Sequence, residues 1–189
     1  MIAHGFPTLG TSRRESEPAA GWANGSKGGG CDAMIQFAGT HHARLDAKGR
    51  VSVPAPFRTA LRGESESGGA ALTLRPSHQH PCIEAWPTSV FETFAAAVQG
   101  MDLFSDDEDD LTTALYADAW PMEADKEGRI IVPESLVQHA GLQDAIMFMG
   151  KGRSFQIWEP VAGARRAIEA RERTRSRKLT IPGPRGASE

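Results

Sequence analysis

Cysteine occurs twice in 189 residues, tyrosine once, and aromatic side chains make up 7% of the chain. Cys31 and Cys82 alone supply neither a disulfide framework nor a zinc ligand set. No apolar run approaches the roughly 20 residues that span a bilayer, and the first residues lack the basic-then-apolar layout of a signal peptide. A soluble cytoplasmic protein is therefore expected. No nucleophile elbow, phosphate-binding glycine loop or dinucleotide fingerprint surrounds the Ser, His and Asp residues. Neither catalysis, a cofactor nor a small-molecule substrate is expected. Residues 1–33 are rich in glycine, serine, alanine and proline, with almost no apolar periodicity. They cannot bury enough surface to offset their ordering entropy, so they are expected to be a disordered or mis-assigned extension.

Charge is uneven. Residues 34–159 carry 10 Lys and Arg against 18 Asp and Glu, whereas residues 160–189 carry 8 against 3. An acidic body weakens attraction to a polyanion, and the basic end partly restores it. Arg165, Arg166, Arg171, Arg173, Arg175, Arg177 and Lys178 form either a fraying helix or basic arm lying along phosphates, or a solvated tail with no partner.

What the chain does have is a repeated phrase. LDAKGRVSVP at 45–54 returns as ADKEGRIIVP at 124–133, 79 positions later. Gly49 and Gly128 permit positive φ, and Asp46 and Asp125 can bond nearby backbone N–H groups, so each Asp-to-Gly stretch predicts a tight turn. The alternation of Val51 with Val53, and of Ile130 with Val132, predicts a strand whose opposite face carries Arg50 or Arg129. Pro54 and Pro133 end these strands and open helices over 56–62 and 134–140, the second stopped by Gly141. Strands are predicted next at 70–74 and 82–86, and again at 144–149 and 154–158, with the register of the two closing tryptophans open by one residue. Ser89 is expected to cap a helix over 90–99. Ser105 with Asp106, Asp107 and Glu108 starts another running toward Trp120. The fold class is α+β: a first half-repeat at 34–87, a helical connection at 88–119, a second half-repeat at 120–160 and a basic tail at 161–189.

A guanidinium on a rigid turn can fork onto guanine O6 and N7 or grip phosphate oxygens, and Lys48 and Lys126 suit phosphate contact as point charges. The competing reading is that Arg50 and Arg129 merely lock their turns by pairing with Asp46 and Asp125. Arg129 is the weaker candidate, because Glu127 stands where the first copy has Lys48. His78, His80 and Cys82 alternate like metal ligands, but Pro76 and Pro81 break the strand and no fourth ligand follows, so no metal is expected. His41 and His42 fall on opposite strand faces, one a surface and one a packing residue. Trp86, Trp120 and Trp158 suit core or interface.

FAGTHHARLDAKGRVSVP (37–54), MEADKEGRIIVPESLVQHAGL (122–142) and FQIWEP (155–160) resemble the two halves of the MraZ family of bacterial transcriptional regulators, relatives of the AbrB swapped-hairpin DNA-binding proteins. The resemblance covers about residues 34–160. It implies a compact β-rich barrel of two interleaved AbrB-like half-repeats and a ring-shaped homo-oligomer. It further implies binding to short direct repeats in promoter DNA upstream of the division and cell-wall gene cluster, repression there, and residence in cytoplasm and nucleoid. The family's Asp-x-x-x-Arg signature falls on Asp46 with Arg50 and on Asp125 with Arg129. Family members begin shortly before the Phe-x-Gly element, so Met34 is the expected start. The alternative function is an oligomeric protein-interaction scaffold whose Arg turns serve packing.

Overall fold

The computed structural model describes Met1, residues 37–62, 70–98, Met101 and residues 105–181. The expectations for residues 2–33, with Cys31 among them, and for Met34 lie outside the described residues. The chain divides into two units, Met1–Asp32 and Ala33–Glu189, and only the second is treated below.

Its elements follow the repeat: β1 (Thr40–Arg44), β2 (Arg50–Ser52), α1 (Ala55–Arg62), β3 (Ala71–Pro76), β4 (Ile83–Pro87), α2 (Thr88–Val98) and α3 (Asp106–Tyr116). Then come β5 (Trp120–Glu123), β6 (Arg129–Ile131), α4 (Glu134–His139), β7 (Ala145–Gly150), β8 (Phe155–Trp158) and α5 (Pro160–Ser176). The strands form a six-stranded antiparallel sheet in the order β1-β7-β8-β4-β3-β5 and a separate ribbon, β2-β6. Exchanging each strand for its counterpart in the other copy returns the same sheet order read backwards. Only β3·β4 and β7·β8 pair within one half; β1·β7, β3·β5, β4·β8 and β2·β6 all join the two halves. A turn links β1 to β2, yet each of these strands finds its partner in the other copy.

The symmetry centre lies where Glu84 faces Gln156 across β4 and β8. Trp86 Nε1 donates to Glu84 Oε2 at 3.3 Å, and Trp158 Nε1 donates to Gln156 Oε1 at 3.1 Å. These matching bonds fix the register of the tryptophans: Trp86 and Trp158 are counterparts, and the one-residue offset is Glu159, inserted before Pro160.

The expected closed barrel is an open sheet here. β1 and β5 are its outer strands, with no pairing between them among the described residues, and the ribbon packs against the sheet through side chains. Leu72, Leu74, Ile83, Ala85, Ile146, Phe148, Phe155 and Ile157 point to one face and meet Val51, Val53, Ile130 and Val132 of the ribbon region, with Phe57, Leu61 and Leu136 from α1 and α4. Each large side chain buried in this core contributes roughly 1.5–3 kcal/mol.

On the opposite face, Met147 and Trp158 seat α5 through Ala162. The basic segment is thus an ordered helix as far as Ser176, not a loose arm. Glu159 starts it, accepting from Val161 N at 3.0 Å and Ala162 N at 2.7 Å, with Pro160 in the first turn. Ser105 caps α3 as expected, accepting from Glu108 N at 3.2 Å. Ser89 does not cap α2: the helix begins at Thr88, directly after Pro87, which places Ser89 inside its first turn.

The His78, His80 and Cys82 side chains have other partners. Arg75 Nη2 meets His78 Nδ1 at 3.2 Å, and Arg166 Nε donates to His80 Nε2 at 3.1 Å above the Trp158 ring. Cys82 is buried, and that burial pushes its thiol up to about 12. Among the described residues no three His, Cys, Asp or Glu cluster as metal ligands, and no helix is long and apolar enough to cross a membrane. His41 packs edge-on against Phe57 at 5.0 Å while His42 is exposed.

A Cβ added at Gly163 would strike Met147 Cε and stand 2.9 Å from Trp158 Cβ. Gly163→Ala is therefore expected to cost about 1–3 kcal/mol, read as a lowered urea midpoint.

Candidate nucleic-acid interface

Both repeated turns are built by their aspartates. Asp46 Oδ1 accepts from the backbone N–H of Lys48 and of Arg50, each at 2.9 Å, and Oδ2 accepts from Arg50 Nε at 2.7 Å. Asp125 repeats the set with Glu127 N at 3.0 Å, Arg129 N at 2.8 Å and Arg129 Nε at 2.8 Å. Gly49 and Gly128 hold φ of 73° and 78°, a region costly to any residue with a Cβ. The carbonyls of these glycines reach across the ribbon, where Gly49 O accepts from Val132 N at 2.8 Å and Gly128 O accepts from Val53 N at 2.9 Å. Each turn is thereby tied to the strand leaving the other.

This cross-pairing gives the ribbon its two faces. Val51 pairs with Ile130 and both are buried, whereas Arg50 pairs with Ile131 and Ser52 with Arg129, and all four of these are exposed. Arg50 and Arg129 therefore stand on one outer face, at opposite ends. Their side chains are each 42% exposed. A groove of about 310 Å³ lies beside them, lined in part by Arg50, Arg129, Asp125 and Ile131.

The turn-locking reading of the arginines is seen directly. Nε of each is held by its aspartate, which locks the turn. Among the described residues the terminal nitrogens of Arg50 have no hydrogen-bonded partner, so the end of the guanidinium remains available. Exposed ion pairs add little net stability; what this one supplies is orientation. Arg129 differs, because its Nη2 also donates to Glu127 Oε2 at 3.0 Å. The acidic neighbour that weakened Arg129 in the sequence does occupy it. Lys48 and Lys126 are exposed at the tips of their turns.

One cation was missed by sequence reasoning. Arg58 of α1 donates through Nη1 to Glu127 O at 3.0 Å and lies over Gly128, where a Cβ would collide with it. Its counterpart in α4 is Val137, so the first turn has no such cover. No motif marks Arg58, because the contact joins positions 69 apart. Ser52 and Ile131 were foreseeable: alternation puts both on the arginine face.

Bonding to the backbone N–H of Arg50, followed by the pairing with its side chain, holds the Asp46 carboxyl below the ordinary 3.8; Asp125 is lowered in the same way by Arg129. A lowered acid stabilises the fold above its ordinary value and loses that contribution as pH falls below it. A carboxyl-detected NMR titration is expected to show both groups ionising below 3.8. Arg50→Ala is expected to leave much of the Asp46 displacement intact, since the backbone donor survives.

A cross-paired two-stranded ribbon carrying two carboxylate-steadied guanidiniums, packed on a large antiparallel sheet with several short helices, defines a mixed α/β protein with an exposed arginine-bearing face. The chain belongs to the MraZ family: the family model described as "MraZ protein, putative antitoxin-like" matches residues 36–114 and again 115–163. It is 59% identical over 149 residues to the transcriptional regulator MraZ of Gluconacetobacter diazotrophicus, covering 79% of this chain and 93% of that protein. The transcriptional regulator MraZ of Gluconobacter oxydans is 53% identical over 76% of this chain and 87% of its own length. That of Azorhizobium caulinodans is 37% identical over 78% and 92%. The family is one of transcriptional regulators, not of enzymes.

Proposed function

We propose that this chain is a sequence-specific DNA-binding transcriptional regulator that reads duplex DNA with the outer face of the β2-β6 ribbon. The observation that carries the reading is the placement of Arg50 and Arg129 on one exposed face, each steadied through Nε by a carboxylate. The major groove admits a two-stranded ribbon, and the free Nη end of an arginine suits guanine O6 and N7. Lys48 and Lys126 then serve phosphates. In this reading residues 34–87 and 120–160 are the two half-repeats, 88–119 their helical connection and 161–189 a basic tail.

The acidic body makes a single copy a weak binder. A ring-shaped homo-oligomer on short direct repeats would compensate by avidity, since linked sites raise effective concentration without new contacts. The proposed targets are repeats in the chain's own promoter and before the division and cell-wall gene cluster, with repression as the outcome and cytoplasm and nucleoid as the location.

A protein-interaction scaffold is the second reading. The Asp46–Arg50 and Asp125–Arg129 pairs favour it, as does Trp120, 44% exposed on the outer strand β5. The two separate on Arg50→Ala. DNA reading requires binding to a fragment from upstream of the chain's own gene to weaken about 10- to 100-fold, the value of one bidentate arginine, with the oligomer's elution volume unchanged. Altered assembly in Arg50→Ala, with no binding of that fragment by wild type at low salt, would establish the scaffold instead. Wild-type affinity is also expected to fall between about 50 and about 200 mM salt, as phosphate contacts require.

Glu127→Lys releases Arg129 and gives the second turn the charge of the first. Tighter binding to the same fragment is expected in gel-shift titration. Unchanged binding would remove Arg129 from the interface.

A further inference from the structure

We infer that Ile131 is a specificity residue, reading the C5-methyl group of a thymine beside the base taken by Arg50. This rests on the DNA reading above. The outer face of the ribbon holds four side chains, Arg50, Ser52, Arg129 and Ile131. Three are polar. Ile131 is 63% exposed, while its neighbours Ile130 and Val132 already fill the core below. Ile131 is not among the buried core of the described residues, and the pseudo-equivalent position in the first half is Ser52.

Ile131 lies directly across the ribbon from Arg50, so their Cβ atoms stand about 4.5–5.5 Å apart. That spacing is close to the ~3.4 Å step between base pairs once the slant of a ribbon in the groove is allowed for. An arginine on guanine therefore brings Ile131 over the adjacent pair. The only apolar group displayed in the major groove is the thymine methyl; every other edge there offers donors or acceptors that isoleucine would leave unpaired. Ser52, beside Arg129, accepts any edge. The chain consequently demands thymine on one side of its reading face and tolerates alternatives on the other.

The test removes the methyl from the DNA and the side chain from the protein separately. A fragment from upstream of the chain's own gene is synthesised once with thymidine and once with deoxyuridine triphosphate, which deletes every C5-methyl and keeps the pairing. Wild-type full-length chain is expected to bind the uracil fragment about 4-fold more weakly for each methyl contacted, the value of one buried carbon. Ile131→Ser is expected to bind the thymine fragment as weakly as wild type binds uracil, and to lose the distinction between them. Ile131→Val, which keeps a branched apolar surface, is expected to retain it. Comparing the four combinations isolates this pair from any effect of uracil on DNA shape.

Equal wild-type binding to the two fragments overturns the assignment while leaving DNA reading intact. So does a discrimination that survives in Ile131→Ser, which would place the methyl contact elsewhere. A smaller oligomer for Ile131→Ser would move the residue to a subunit contact and overturn it as well. Failure of wild type to bind either fragment at low salt removes the parent reading and this one together.

Discussion

Two backbone hydrogen bonds hold this architecture together: Val132 N to Gly49 O and Val53 N to Gly128 O. They tie each turn to the exit strand of the other, and they need glycine at both acceptor positions because the chain there adopts positive φ. Once the turns are tied, β2 and β6 must lie antiparallel, and Val51, Val53, Ile130 and Val132 must face the sheet. Arg50 and Arg129 are left outside by the same alternation. The core and the cationic face are thus two sides of one three-residue pairing, and neither half could form its side alone.

Within that common frame the halves have diverged where packing leaves freedom. Lys48 matches Glu127, Val137 matches Arg58, and Ser52 matches Ile131. The first turn presents an uncovered guanidinium end. The second is occupied by its own glutamate and covered by an arginine from α1. Closely matched turn geometry has been given unequal polar chemistry, while the core counterparts, such as Phe57 with Leu136 and Leu61 with Ala140, differ in size and stay apolar.

Local features were legible in the sequence because their causes are local. Asp and Gly at fixed spacing gave both turns, period-two alternation gave the ribbon's inner and outer faces, and Ser105 with its acidic followers gave the start of α3. Pairing across the halves was not legible from the residues, since hydrogen bonds between strands join positions with no sequence relation; the family resemblance supplied that expectation. The resemblance also suggested a closed barrel, and here the two outer strands do not meet. Pro121 in β5 lacks a ladder donor, as befits an outer strand. Ser89 misled because Pro87 carries the chain into α2 two residues early, and Glu159 went unnoticed because glutamate is an uncommon cap. The arginines had two competing roles in the sequence. Geometry shows the turn-locking one at Nε of both, and leaves the Nη end of Arg50 without a hydrogen-bonded partner among the described residues.

The near-twofold axis through Glu84 and Gln156 relates two halves of one chain, not two separate subunits. Two identical subunits around such an axis would be obliged to carry the same side chains at both ends. Joining the halves covalently frees each to change without the other, and the unequal turns then give the molecule a head and a tail. A molecule with that polarity shows different side chains after a half-turn about its own axis, so the two ends of its exposed ribbon are not interchangeable.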